Sequence, residues 1–273
     1  GFRDPHESRR MLAVFDAVDG FPGLVAPLED PGSEGIATVL TSCLQPDEQN
    51  RRVIAGMIAA AHDLVQGHDP ASMQEDTPQL ARTAVELDRA HPGDPSILAA
   101  LLMNRVHLRP GESLFLGAGT MHAYLHGTGI EIMASSDNVL RGGLTSKHID
   151  VPALLAHADL TATCVQPECP RQLPGGLQHY RTPFPEFTLW RLGERVETDL
   201  PATGLGRILL VLDGRMSLIT SAGVTSNDTG AEVTQVRAGQ AVWISAGQQV
   251  HVTGSAVGFL AAPGVGQEFP DEL

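Results

Sequence analysis

The chain has 273 residues and a mass of 28.9 kDa, with 42% apolar and 18% charged residues. That is the makeup of a globular protein with room for two or three domains. Its 18 basic against 32 acidic side chains leave a net charge of −14 and a pI near 5.1, which argues against a nucleic-acid partner. No apolar run reaches the roughly 20 residues needed to cross a bilayer, and no charged-then-apolar leader opens the chain, so the reading is a soluble, cytoplasmic protein without a membrane partner.

Residues from about 8 to 104 read as helical. Met11, Leu12, Val14, Phe15 and Val18 recur at helical spacing behind Ser8, a fair cap. A second helix opens at Pro46-Asp47-Glu48, acidic at its start as the helix dipole favours, and runs to Gly67. A third begins near Thr77-Pro78 and carries Leu80, Ala84, Val85 and Leu87 to Ala90. Pro92-Gly93 breaks it, and Asp94-Pro95 starts a short helix through Leu102.

The pattern changes at Val106. Short apolar strands at 106–109, 113–116, 121–125 and 130–134 are separated by glycine turns, which predicts a β-barrel or sandwich. Residues 153 to 186 hold five prolines and read as a linker. A second all-β stretch follows: strands at 187–192 and 207–212, a turn at Asp213-Gly214, strands at 216–219, 233–236 and 241–244, and a polar loop over 221–231. Arg237-Ala238-Gly239-Gln240 repeats the logic of Arg109-Pro110-Gly111-Glu112, so two barrels of one kind are expected.

The densest chemistry lies between His122 and Lys147. On a strand His122, Tyr124 and His126 share one face, and a hairpin closing at Gly127-Thr128-Gly129 would set His122 opposite Glu131. A histidine and a carboxylate on one inward face are half of a metal site. A barrel-lining histidine bonded to a carboxylate fits the fragment too. Further on, Asp137 and Arg141 sit in a glycine-ended loop. Arginine's fork can stabilise an enediolate or bind a phosphate, or the two residues can form an ion pair that pins the loop. Lys147 is the one lysine beside 17 arginines. Cys43, Cys164 and Cys169 are too few and too scattered for a disulfide framework or a zinc knuckle and read as free thiols. His62, His68 and His179 read as solvated, and His251, with no carboxylate at the hairpin position after it, as structural.

These residues resemble the type I phosphomannose isomerases (mannose-6-phosphate isomerases). The likeness runs through His91-Pro92-Gly93-Asp94-Pro95, Asn104-Arg105-Val106, Pro110-Gly111-Glu112, His122-Ala123-Tyr124-Leu125 and Glu131-Ile132-Met133-Ala134. It continues without a gap from Ser136-Asp137-Asn138-Val139-Leu140-Arg141-Gly142-Gly143 to Lys147-His148-Ile149-Asp150-Val151. The resemblance implies a mainly β fold with a helical domain: two cupin-type β-barrels, the first incomplete, plus an α-helical insert. On that expectation residues 1–104 are the helical domain with a short remnant of the first cupin at its start, 105–152 the carboxyl-side part of that cupin, and 153–273 a linker and the second cupin.

The resemblance further implies a zinc-dependent interconversion of mannose 6-phosphate and fructose 6-phosphate, with a phosphorylated hexose as the small-molecule partner. By position, His122 is the zinc ligand, Arg141 the catalytic arginine, Tyr124, Glu131 and Asp137 pocket residues, and Lys147 the lysine near the phosphate. The rest of the family's zinc sphere is a Gln-x-His pair and a glutamate before the helical domain. Where that glutamate is expected this chain has Arg10, or Arg9 with a one-residue shift, and Glu7 is out of register. The expectation is therefore a family member lacking its amino-terminal segment, or a non-catalytic cupin relative that binds a sugar phosphate or a protein after losing its metal sphere.

Overall fold

A computed structural model describes residues 1–30, 32–67, 77–136, 139–220 and 232–264. The chain divides into two units. One comprises Gly1–His107, Leu116–Thr128 and Asp137–Gln166; the other comprises Leu108–Phe115, Gly129–Ser136 and Pro167–Leu273. The polar loop expected over 221–231, His68 and Asp137 lie outside the described residues.

The first unit is helical: α1 (Pro5–Leu12), α2 (Phe21–Val25), α3 (Ser33–Leu44), α4 (Glu48–Gly67), α5 (Thr77–Ala90), α6 (Ser96–Leu101) and α7 (Val151–His157). The start of α1 is set by Asp4, whose carboxylate accepts the Glu7 N–H at 3.0 Å, with Pro5 at the first helical position where a missing N–H costs nothing. Ser8, read as the cap, instead lies buried inside the helix. α4 opens where its acidic start predicts, and the Asp47 carboxylate accepts the Asn50 N–H at 2.7 Å. α7 falls in the stretch read as a linker. Asp150 caps it through the Ala153 N–H at 3.0 Å.

The helices close over Phe15, Phe21, Leu40, Ile54, Met57 and Ile97, all essentially excluded from water, and burial of such side chains is what holds amphipathic helices together. Phe15 and Phe21 meet edge to face at 5.7 Å. His62, read as solvated, ties α4 to α5 by donating from Nε2 to Asp88 at 2.8 Å, while the other Asp88 oxygen accepts the Gly93 N–H at 2.9 Å. Those bonds, the backbone one foremost, hold the Asp88 carboxyl below its usual pKa.

The second unit is an antiparallel sheet of β1 (Arg171–Gln172), β2 (Leu177–Tyr180), β3 (Thr188–Leu192), β4 (Val196–Asp199), β5 (Arg207–Thr220), β6 (Glu232–Arg237), β7 (Ala241–Ile244) and β8 (Val250–Ala262). β5 and β8 pair along almost their whole length. The outer edge of β5 takes β7 on its first half and β6 on its second. The outer edge of β8 takes β4 and then β3 in the same manner. Two half-sheets thus share two long bent strands and cover a core of Trp190, Leu192, Leu209, Val211, Met216, Val252 and Leu260.

The turn expected at Asp213-Gly214 does not form. β5 runs straight through it, and the register slips between Val211 and Asp213, leaving Leu212 as the extra residue of a bulge. Gly214 has φ +74, and a Cβ there would stand 2.2 Å from the Ser255 carbonyl oxygen. The dipeptide serves as a bend inside a strand, not as a hairpin.

The strands expected at 106–109, 113–116, 121–125 and 130–134 are not regular ladders; apart from the isolated bridge of Ser113 to Glu168, these segments run without β pairing among the described residues. An alternating pattern becomes a strand only when a neighbour takes its N–H and C=O groups. The expected likeness of the two Arg-x-Gly turns does hold locally. In both, the first N–H is accepted by the side chain of the fourth residue, Arg109 to Glu112 at 2.7 Å and Arg237 to Gln240 at 2.9 Å. Gly111 and Gly239 both take positive φ, +91 and +80, as the third position of such turns requires.

Candidate functional site

Three anchors hold the segment 117–126 on the helical unit. Gly119 approaches the end of α7 so closely that a Cβ would lie 2.6 Å from the His157 carbonyl oxygen, and its own carbonyl accepts the Asp159 N–H at 2.9 Å. The Met121 carbonyl accepts from the Gly1 amino group at 2.6 Å. Met121 and Leu125 pack on the helical core. His122, Tyr124 and His126 are exposed, so the alternation expected of a strand survives at these positions without a strand forming. Ala123 departs from it and is exposed as well.

The His122 Nδ1 lies 2.9 Å from the Thr120 carbonyl oxygen. A carbonyl only accepts, so Nδ1 bears the hydrogen and the neutral ring keeps its lone pair on Nε2. The ring meets that of Tyr124 edge to face at 6.3 Å, and Tyr124 is 75% exposed. His126, read as part of the same face, donates from Nδ1 to Glu86 of α5 at 2.8 Å. Arg105 steadies Glu86 at 3.4 Å and donates to the Thr83 hydroxyl.

The loop carrying Arg141 and Lys147 is pinned at its middle. A Cβ on Gly142 would stand 2.4 Å from the Met121 Cε, and one on Gly143 would stand 2.4 Å from the Ser96 Cβ. Gly143 has φ +119 and Leu144 has φ +50. For a residue with a side chain, the left-handed conformation costs about 1–2 kcal/mol, and here the Ser96 hydroxyl accepts the Leu144 N–H at 2.7 Å. The Lys147 N–H goes to the Thr145 hydroxyl at 3.1 Å. The Arg141 guanidinium and Lys147 ammonium are exposed, and neither has a partner among the described residues.

The contact of Met121 with Gly142 sets the immediate neighbours of His122 and Arg141 against each other. Two segments twenty residues apart thus meet on one unit, with an imidazole, a phenol and two cations at the surface. Glu131 is an exposed residue of the second unit.

A catalytic zinc takes three protein ligands. The lone pair on the His122 Nε2 suits one, yet no group of three histidine, cysteine, aspartate or glutamate side chains gathers among the described residues. At the start of the chain, the Asp4 carboxylate caps α1 and Arg9 is engaged with Asp16 at 3.0 Å and Glu29 at 3.7 Å. The described residues do not fit the metal.

Several other titratable groups have surroundings of their own. Burial pushes the Cys43 thiol far above its ordinary pKa, so it is inert. Cys164 and Cys169 are free and exposed. His179, read as solvated, is half-buried, stacked on Trp190 at 5.3 Å and hydrogen-bonded to the Thr188 hydroxyl at 3.0 Å. Burial, then Arg181 and Arg171, hold its pKa below the ordinary value. His251 is bonded to Asp199 across the β4–β8 ladder at 2.9 Å, a carboxylate that a hairpin-position search overlooks. Ser96 and Glu86 escaped sequence reading because their partners lie 48 and 40 residues away. The one local signal was Asp94 two residues before Ser96, a helix-start pattern.

No family model matches the chain. Among curated proteins, it is 30% identical over 227 residues to the mannose-6-phosphate isomerase of Pan troglodytes, covering 80% of this chain and 52% of that protein. It is 33% identical over 200 residues to mannose-6-phosphate isomerase 1 of Arabidopsis thaliana, covering 69% and 42%. With the mannose-6-phosphate isomerase of Salmonella typhimurium it shares 40% identity over 149 residues, covering 54% and 35%. The matches thus span between about a third and a half of those relatives. The fold resembles the crystal structure of a lysine-to-alanine mutant of phosphomannose isomerase from Salmonella typhimurium, with a TM-score of 0.74, 24% identity, and coverage of 97% of this chain and 64% of that one. The chain is thus similar in sequence to mannose-6-phosphate isomerases and has the fold of a phosphomannose isomerase.

Proposed function

We propose that this chain carries the sugar-phosphate end of an aldose–ketose isomerase that interconverts mannose 6-phosphate and fructose 6-phosphate. The observation that carries the reading is the seating of Gly142 on Met121, which sets the Arg141 and His122 segments side by side; the names of the relatives supply the substrate. Isomerisation takes a proton from the carbon beside the carbonyl, passes through an enediolate, and returns the proton to the neighbouring carbon. Arg141 is the group for the enediolate oxygens, since a guanidinium offers paired donors to developing negative charge. Lys147, six residues on, is the point charge for the phosphate. Tyr124, Glu131 and Asp137 are assigned to the sugar by their position in the motif alone. The reading takes the sheet of the second unit as a cupin-type barrel, the helices as an insert in another, domain boundaries near residues 104 and 152, and the cytoplasm as the place of work. Zinc in the full-length protein would serve as a Lewis acid. His122, with its Nε2 lone pair, would supply a single ligand to it, short of the three a catalytic zinc takes.

A second reading, a non-catalytic relative that binds a sugar phosphate or a protein partner, is favoured by the lack of a metal-ligand group among the described residues. Turnover of mannose 6-phosphate by the full-length protein, followed in a coupled assay beside metal analysis, separates the two. The isomerase reading expects turnover with stoichiometric zinc. A folded full-length protein with neither would leave the binding module standing.

A further inference from the structure

We propose that Ser96, with Asp94 behind it, is a positioning residue that seats the loop bearing Arg141 and Lys147. The proposal rests on the isomerase reading and extends that site to a residue of the helical unit that contacts none of the proposed substrate groups. Three observations carry it. Ser96 is 3% exposed at the first turn of α6, and a buried hydroxyl needs partners. Its Oγ donates to the Asp94 carboxylate at 2.6 Å and accepts the Leu144 N–H at 2.7 Å, while the same Asp94 oxygen takes the Ser96 N–H at 2.9 Å. Donation to an anion fixes the hydroxyl rotor and strengthens its lone pairs as acceptors.

The amide so held belongs to a leucine at φ +50, a conformation that persists only where its surroundings enforce it. Gly143 beside it leaves no room for a side chain: a Cβ would lie 2.4 Å from the Ser96 Cβ and 3.5 Å from Leu44 of α3. The loop therefore rests backbone-first on α6. Leu144 stands three residues after Arg141 and three before Lys147, so the seat is the midpoint between the two cations. Without the hydroxyl, a left-handed residue keeps an unpaired N–H in a partly buried place, and the backbone is free to relax away from it. Both cations then shift together. A displacement of about an ångström at reacting groups is enough to slow turnover severely.

The test is Ser96→Ala in the full-length protein, read by hydrogen exchange at the Leu144 amide and by kcat and KM for mannose 6-phosphate. Ser8→Ala is the control. It removes an equally buried hydroxyl of the same unit that has no partner among the described residues. Ser96→Ala is expected to speed exchange at Leu144 at least about tenfold, to lower kcat and raise KM, and to cost about tenfold in kcat/KM; Ser8→Ala is expected to change none of these. Unaltered exchange at Leu144 would overturn the proposal, as would faster exchange with unaltered kinetic constants. Should Ser96→Ala fail to fold, Asp94→Asn withdraws the anion behind the hydroxyl and is read in the same way. A wild-type protein without turnover refutes the isomerase reading, while the exchange measurement still decides whether the seat exists.

Discussion

Arg207 and Arg141 show how differently one residue type is used. Arg207 is wholly buried, donating to the carbonyl oxygens of Pro201 and Gln248. Burial holds its pKa below the usual arginine value. Its charge is spent on fixing the loops at the end of β5. Arg141 and Lys147 stand at the surface with no partner among the described residues, so none of those residues competes with an anion for them. Arg141→Ala is expected to lower kcat for mannose 6-phosphate by about 10²–10³-fold with the unfolding midpoint unchanged, the scale of losing a donor to a developing oxyanion; near-normal turnover would remove its role. Lys147→Ala is expected mainly to raise KM, and an unaltered KM would contradict phosphate binding there.

His179 makes a pH prediction. Its pKa is lowered in the fold, by burial and then by Arg181 and Arg171, so below the ordinary histidine value of about 6.5 the unfolded chain binds the proton more readily. The stability contributed by the neutral ring is complete above that pH and is lost as pH falls through the lower folded pKa. Both tryptophans, Trp190 and Trp243, lie in the sheet unit, so their fluorescence reports that unit's unfolding. Urea midpoints measured between pH 7.5 and 5 are expected to fall with pH, and His179→Gln to flatten the fall. Equal slopes in wild type and variant would contradict the assignment.

At the scale of elements, what the sequence revealed depended on where each element finds its partners. α4 and α5 were legible because an amphipathic helix satisfies its own backbone and shows one apolar face, with Pro92-Gly93 as a stop. β3, β6 and β7 were legible because alternating residues pair with neighbours in the same unit. The segments 121–125 and 130–134 carry an equally good alternation, but no ladder forms for them among the described residues. Asp213-Gly214 was misread because that dipeptide usually closes hairpins; a bulge against β8 uses the same glycine freedom. Gly214→Ala is expected to destabilise the sheet unit by about 1–3 kcal/mol in urea unfolding followed by tryptophan fluorescence, since a Cβ at φ +74 would meet the Ser255 carbonyl. An unchanged midpoint would show that β5 can straighten without the bulge. The candidate cations Arg141 and Lys147 stand out in composition and motif, whereas Ser96 does not. Its role lies in a contact made across 48 residues.

Over the whole molecule, a helical core and a β core are built separately, each from its own apolar cluster. The candidate residues His122, Tyr124, Arg141 and Lys147 all ride on the helical unit. The chain's net charge of −14 opposes an anionic sugar phosphate at long range, so on the proposed function binding would depend on local cations held in place, the part proposed for the Ser96 seat and the Met121–Gly142 contact. The central claim is that His122 and Arg141 border one sugar-phosphate site. A crystal structure of the full-length protein with mannose 6-phosphate tests it most directly. The expected result is the Arg141 guanidinium beside the first two sugar carbons, His122 on the same side of the sugar, and the Lys147 Nζ within hydrogen-bonding distance of the phosphate. A sugar phosphate bound elsewhere, or His122 and Arg141 turned to opposite sides of the unit with packed protein between them, would contradict it.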